Sequence, residues 1–163
     1  TLRGDPRVVV MERTNIRHVL PDKFEEPVDF ATIDVSFISL KLVLPVLKTL
    51  IKDGGQAVCL IKPQFEAGRD QVGKKGVVRD AAVHRAVLDA FCGYATESGF
   101  QVKSLDYSPI KGPEGNIEFL AHLSSGGAGG VCMDAAEVVE RAHRELKGAE
   151  NHDEKIPALH KPS

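Results

Sequence analysis

Asp34, Lys62 and Glu118 are the residues whose types and placement could do chemistry together. Asp34 closes one apolar run, Lys62 closes another, and Glu118 lies inside the apolar stretch 117–123. In open α/β sheets, ligands bind beyond the carboxyl ends of the strands, so residues that end apolar runs are the ones to question. A lysine desolvated between carboxylates can have its proton affinity shifted enough to help deprotonate a weakly acidic hydroxyl. Each residue also has a plainer reading. Asp34 could cap a helix, Lys62 could snorkel to solvent, and strand alternation could turn Glu118 outward together with Asn116.

A second set is electrostatic. The segment Gly68-Arg69-Asp70-Gln71-Val72-Gly73-Lys74-Lys75-Gly76-Val77-Val78-Arg79 is glycine-rich and basic. It matches neither GxGxxG nor GxxxxGK[ST], because Lys75 stands where the latter needs a hydroxyl. Arg69, Lys74, Lys75 and Arg79 could grip phosphates, and a merely solvated loop is the alternative. The six histidines are scattered, and none pairs with a second ligand at metal spacing, so no metal site is read. Gly112-Pro113-Glu114-Gly115-Asn116 reads as a turn.

The elements that must position these groups follow from hydrophobic period and punctuation. Residues 7–11, 27–34 and 56–62 read as buried strands. Between the last two, Leu40, Val43, Leu44, Leu47, Leu50 and Ile51 recur at helical spacing, with Gly54-Gly55 as the stop. Asp80 caps a second helix carrying Val83, Val87, Leu88 and Phe91 on one face, and Ser98-Gly99 end it. Strands at 100–105 and 117–123 follow. The order β, β, α, β, α, β, β predicts an α/β fold, a mostly parallel sheet covered on both faces with an antiparallel last strand. Residues 1–123 form that body. Residues 124–163 open on a Gly-rich linker and continue as a charged helix over 134–147 and a polar tail.

Composition bounds the rest. The chain has 163 residues, 42% hydrophobic and 27% charged, with a net charge of -2. One globular domain fits that length, and a wholly basic, histone-like protein is excluded. No run reaches the roughly 18 apolar residues of a membrane helix. Three cysteines, Cys59, Cys92 and Cys132, form no CxxC pair and no even framework, and the start carries no apolar leader, so the expected compartment is the cytoplasm.

Five segments in order carry a likeness to a known family. They are residues 5–15 (DPRVVVMERTN), 34–40 (DVSFISL), 62–69 (KPQFEAGR), 73–80 (GKKGVVRD) and 112–119 (GPEGNIEF). Over about residues 2–123 the chain resembles the TlyA family of FtsJ-like methyltransferases, many of which carry the label hemolysin. The resemblance implies a Rossmann-like class I sheet and S-adenosylmethionine-dependent methylation of the 2′-hydroxyl of cytidine in ribosomal RNA. Related enzymes use a Lys-Asp-Lys-Glu tetrad, onto which Asp34, Lys62 and Glu118 map as the last three members. Glu12, Thr14, Asn15 and Asp34 are then the candidates for holding the methyl donor, and Arg69, Lys74, Lys75 and Arg79 for holding RNA. In the family the first lysine, the glycine-rich donor loop and the acid that holds the donor ribose lie upstream, and Thr1 begins after them. The expectation is therefore a sheet lacking its first two strands and inactive alone, with an exposed edge through which copies could pair.

Three functions compete at this level. The first is the methyltransferase, with ribosomal RNA or ribosomal subunits as partner. The second is a non-catalytic RNA-binding module or degenerate family member. The third, a membrane-lysing protein, has neither a spanning segment nor a strongly basic amphipathic stripe behind it.

Overall fold

In a computed structural model that describes residues 2–127 and 134–153, with side chains to residue 146, the chain forms one four-stranded sheet with helices against it. Strand β1 is Val28–Ile33, β2 Ile51–Ile61, β3 Phe100–Tyr107 and β4 Phe119–Ser125. The spatial order is β1-β2-β4-β3. β1 and β2 are parallel, and β4 runs antiparallel to both β2 and β3. Three strands thus point one way and the last returns between two of them.

Alternation assigns the two faces. Ala57, Cys59 and Ile61 of β2, Phe119, Ala121 and Leu123 of β4, and Phe100, Val102 and Leu105 of β3 are buried on one side. Helices α1 (Leu44–Leu50), α3 (Ala81–Glu97) and α4 (Ala135–Asp153) contribute to the same buried cluster. Phe30 is exposed on the other face, and Val58, Leu60 and Leu120 are half-buried there. The expected cover on both faces is therefore corrected: among the described residues the helices lie on one.

Local sequence explains each element. Asp80 caps α3, its Oδ1 accepting from the Ala82 amide at 2.8 Å, and Gly99 leaves the helix at φ +86°. Leu44, Leu47 and Leu50 form the buried stripe of α1. That helix stops at Leu50 and not at Gly54-Gly55. Ile51 is already extended, and the two glycines accommodate an irregularity where the register slips from Val28↔Ile51 to Phe30↔Gln56. Gly54 takes φ +76° there, and a Cβ on Gly55 would lie 2.9 Å from the Lys52 carbonyl.

The expected strand at 7–11 does not form. Val9 is 84% exposed, and β1 pairs with β2 alone. A β-branched run becomes a strand only beside a neighbour that completes its hydrogen bonds, and none is described here. Instead Asp5 turns the chain, accepting from the Arg7 amide at 2.9 Å and pairing with its guanidinium at 2.7 Å.

The charged helix is longer than its pattern predicts and belongs to the core. Asp134 caps α4 through the Ala136 amide at 2.9 Å, and Ala135, Val138, Val139, Ala142 and Leu146 are buried against α3 and β3. Cys132 lies outside the described residues.

Candidate active site

One edge of the sheet gathers the three chemical residues. Asp34 follows the last residue of β1, and Lys62 follows the last residue of β2. Lys62 is held extended before Pro63, which opens the single-turn helix α2 (Pro63–Glu66). Because β4 is antiparallel, its start lies at this same edge. The recorded register ends at Ile61↔Phe119, so the next step sets Lys62 opposite Glu118.

Lys62 Nζ lies 2.6 Å from Asp34 Oδ1 and donates to Ser36 Oγ at 3.3 Å. Its side chain is 12% exposed and that of Asp34 is 70% exposed, so the pair has a buried cationic end and an open anionic one. Glu118 was expected inside a strand. It stands one residue before β4, and its carbonyl accepts the amide of Ser108, its neighbour in the next step of the β3–β4 register, at 2.8 Å. At 6% exposure its carboxylate rests on Gly112, where a Cβ would overlap Oε1. Gln64 Nε2 donates to it at 3.4 Å, which leaves Gln64 Oε1 buried without a partner.

A cleft of about 850 Å³ opens beside this edge, lined among others by Thr14, Asn15, Ser36, Phe37, Gln64 and Arg69. Thr14 donates its hydroxyl to the Glu12 carbonyl at 3.1 Å, and Asn15 caps the turn Ile16–His18 by accepting the Arg17 amide at 3.1 Å. Glu12 is outside that lining and pairs with Arg3. Asp34 lines an adjoining apolar hollow with Phe24, Phe30 and Leu47. The four donor candidates are thus divided, two lining the cleft and two outside its lining.

Sequence reasoning missed the cleft's aromatic pair. Phe37 is 91% exposed at φ +64°, with its ring centroid 5.0 Å from that of Phe65. A bulky residue at positive φ is strained by about 1 kcal/mol or more, and such strain concentrates at functional sites. The only available signal was an aromatic side chain between Ser36 and Ser39. Glu66 was missed too. Its carboxylate accepts from Ser39 Oγ at 2.7 Å, the Leu40 amide at 2.8 Å and the Tyr94 hydroxyl at 3.1 Å. It therefore ties the segment after Lys62 to the segment after Asp34. Burial, with Glu66 adjacent, pushes the Tyr94 phenol above its ordinary range.

The four basic candidates also divide. Arg69 lines the main cleft, while Lys74, Lys75 and Arg79 line a second hollow of about 360 Å³. Their loop is shaped by internal bonds, Gly73 N–H to the Val77 carbonyl at 3.0 Å and Gly76 N–H to the Gly73 carbonyl at 2.8 Å. His84, on α3, supports it from below. Its Nε2–H donates to the Val78 carbonyl at 3.1 Å, so Nδ1 accepts from His143 Nε2 at 2.9 Å. Burial, then the neighbouring His143, depress the His84 pKa to about 4.

Comparison with known proteins adds a lineage. The model of a family described as FtsJ-like methyltransferase matches residues 1–125. A 16S/23S rRNA (cytidine-2′-O)-methyltransferase, TlyA of Mycobacterium tuberculosis, is 43% identical over 123 residues, covering 76% of this chain and 46% of its own length. Hemolysin A of Brachyspira hyodysenteriae is 38% identical over 75% of this chain and 51% of its own. A solved structure, provisionally named a hemolysin, from Streptococcus thermophilus superposes with a TM-score of 0.88 at 50% identity, covering 92% of this chain and 55% of that one. The chain spans about half the length of the curated relatives it matches. No helix among the described residues is long and apolar enough to cross a membrane.

Proposed function

This chain belongs to the FtsJ-like methyltransferase family, and from that membership we propose that it serves S-adenosylmethionine-dependent methylation of the ribose 2′-hydroxyl of cytidine in ribosomal RNA. The observation that carries this reading is the Lys62–Asp34 pair at 2.6 Å on the sheet's carboxyl edge, beside an open aromatic cleft. Lys62 Nζ acts as the neutral amine, its own proton first released to solvent: it hydrogen-bonds the hydroxyl, receives the proton that oxygen loses as it is methylated, and ends as the ammonium that Asp34 stabilises. Asp34 and Ser36 fix Nζ, and Glu118, held by Gln64, closes the group from the neighbouring strand. The exposed Phe37 and its neighbour Phe65 offer a face on which an unpaired base can stack, as enzymes that act on single nucleotides require.

The cleft suits the donor in size, since small-molecule sites run from about 300 to 1,000 Å³. Thr14 and Asn15 line it with a hydroxyl and an amide, and Ile16 adds apolar surface, which fits a ligand bearing a ribose and a flat ring. When bound, the donor supplies an electrophilic methyl group on a positively charged sulfur. Glu12 and Asp34 stand as further candidates on sequence pattern alone. The open edge of β1 is, in this proposal, where further strands of a Rossmann-like sheet pair, and the bare sheet face is where helices cover it.

Lys62→Ala in the protein extended to its relatives' length is expected to abolish methyl transfer to ribosomal subunits, read with radiolabelled donor, and to leave donor affinity within about twofold. Turnover at the wild-type rate would sink the assignment. The cations around the second hollow favour one other reading, an RNA-docking module without chemistry. That reading predicts affinity falling steeply with salt together with no transfer at any donor concentration.

A further inference from the structure

Every polar atom of the Asn116 side chain joins two parts of the molecule. Asn116 is 2% exposed. Its Oδ1 accepts the Val78 amide at 3.1 Å, and its Nδ2 donates to the Gly76 carbonyl at 3.0 Å and to the Pro113 carbonyl at 2.9 Å. Two of those partners lie in the basic loop that presents Lys74, Lys75 and Arg79, and the third opens the turn ahead of β4. The Asn116 carbonyl accepts the Gly112 amide at 2.8 Å, and Gly112 is the surface against which the Glu118 carboxylate rests. A continuous set of bonds therefore runs from the loop, through Asn116, to the floor under Glu118. Only an amide of this length supplies one acceptor and two donors in a plane.

We propose that Asn116 is a positioning residue that couples anion binding on the 73–79 loop to the placement of Glu118. The coupling rests on the reading of that loop as a phosphate contact and of Glu118 as a member of the reacting group. Energetic coupling between sites needs an element that both of them bias, and a buried, satisfied polar network is stiff enough to serve. An RNA phosphate that draws Lys74 and Lys75 inward shifts Gly76 and Val78. Asn116 transmits that shift to the Gly112 turn, so the carboxylate is set by correctly seated RNA.

The test uses the isotopically labelled chain and inorganic tripolyphosphate, which carries the charge of an RNA backbone but no base or ribose to occupy the cleft. In the wild type, amide resonances of Lys74, Lys75 and Gly76 and those of Ser108 and Glu118 are expected to shift along one saturation curve, with slowed hydrogen exchange at Val78 and Ser108 together. In Asn116→Ala the loop resonances still shift, the α3 resonances stay in place, and the Glu118 and Ser108 responses are lost. Loop shifts without a Glu118 response in the wild type overturn the coupling and leave the loop's anion reading standing. A Glu118 response that survives in Asn116→Ala also overturns it. Silence at the loop itself refutes the anion reading and the coupling together. If Asn116→Ala fails to fold, Asn116→Ser, whose polar side chain is too short to reach both the loop and the turn, takes its place and is held to the same outcomes.

Discussion

Gly112 has φ -74°, a conformation open to any residue, so space and not backbone freedom excludes a side chain there. The atom that a Cβ would strike is the far end of the Glu118 side chain, which can swing away, at the expense of its Gln64 contact. Gly112→Ala is therefore expected to change unfolding free energy by about 1 kcal/mol or less while lowering methyl transfer, in the protein extended to its relatives' length, on the order of 10–100-fold, since with Glu118 in its proposed role a displacement near 1 Å is costly. Denaturant titration beside a transfer assay separates the two effects; a fall in stability with full activity would contradict it. At this scale the placement of Asp34 and Lys62 was legible, because each closes an apolar run where a strand ends, whereas Glu118 was expected within a strand and stands just before it. Gln64, Glu66 and Asn116 were not legible. Their importance lies in partners 26 to 54 positions away, and no local pattern marks a side chain for a contact of that range.

Helix α4 shows how an element can be readable and its destination unreadable. The apolar spacing of Val138, Val139, Ala142 and Leu146 announces a helix with one dry face, but only the fold shows that face closing on α3 and β3. Asp80 and Gly99 bracket α3 with local chemistry, so its limits could be read directly. Residues 7–11 failed for the opposite reason, since a strand is a property of two segments. The junction of α3 with α4 also makes a pH prediction. His84 is neutral in the fold with a pKa near 4, against 6.5 for the exposed side chain, and it faces His143 from α4 and Asp80 from its own cap. Between those values the unfolded chain binds more protons, so stability is complete above about pH 6.5 and declines as pH falls toward 4. The loss from pH 7 to 5 is expected to be about 1–2 kcal/mol. His84→Gln, whose amide can still donate to the Val78 carbonyl, should remove most of that decline in parallel denaturant titrations; an unchanged decline would acquit the pair.

At the scale of the whole molecule, one side of the sheet carries no helix among the described residues. Phe30 is exposed, Val58, Leu60 and Leu120 are half-covered on the bare sheet face, and β1 offers one edge without a partner among the described residues. Two of the four donor candidates fall outside the main cleft, as they would if the cleft formed one wall of a larger pocket. A relative such as the Mycobacterium tuberculosis methyltransferase is about twice as long as the stretch it shares with this chain. A ligand that meets one wall of its site loses the contacts of the other, while the cost of immobilising it remains. Calorimetric titration of S-adenosylmethionine into this chain, beside the protein extended upstream to its relatives' length, is therefore expected to give affinity at least about 100-fold weaker for the chain alone, a loss of roughly 3 kcal/mol. Equal affinity would mean either that the cleft already holds the donor or that a second copy supplies the missing wall along the β1 edge. Light scattering of the same samples distinguishes these, because only the second requires a dimer, and Phe30→Lys on that face would then abolish both the dimer and the binding.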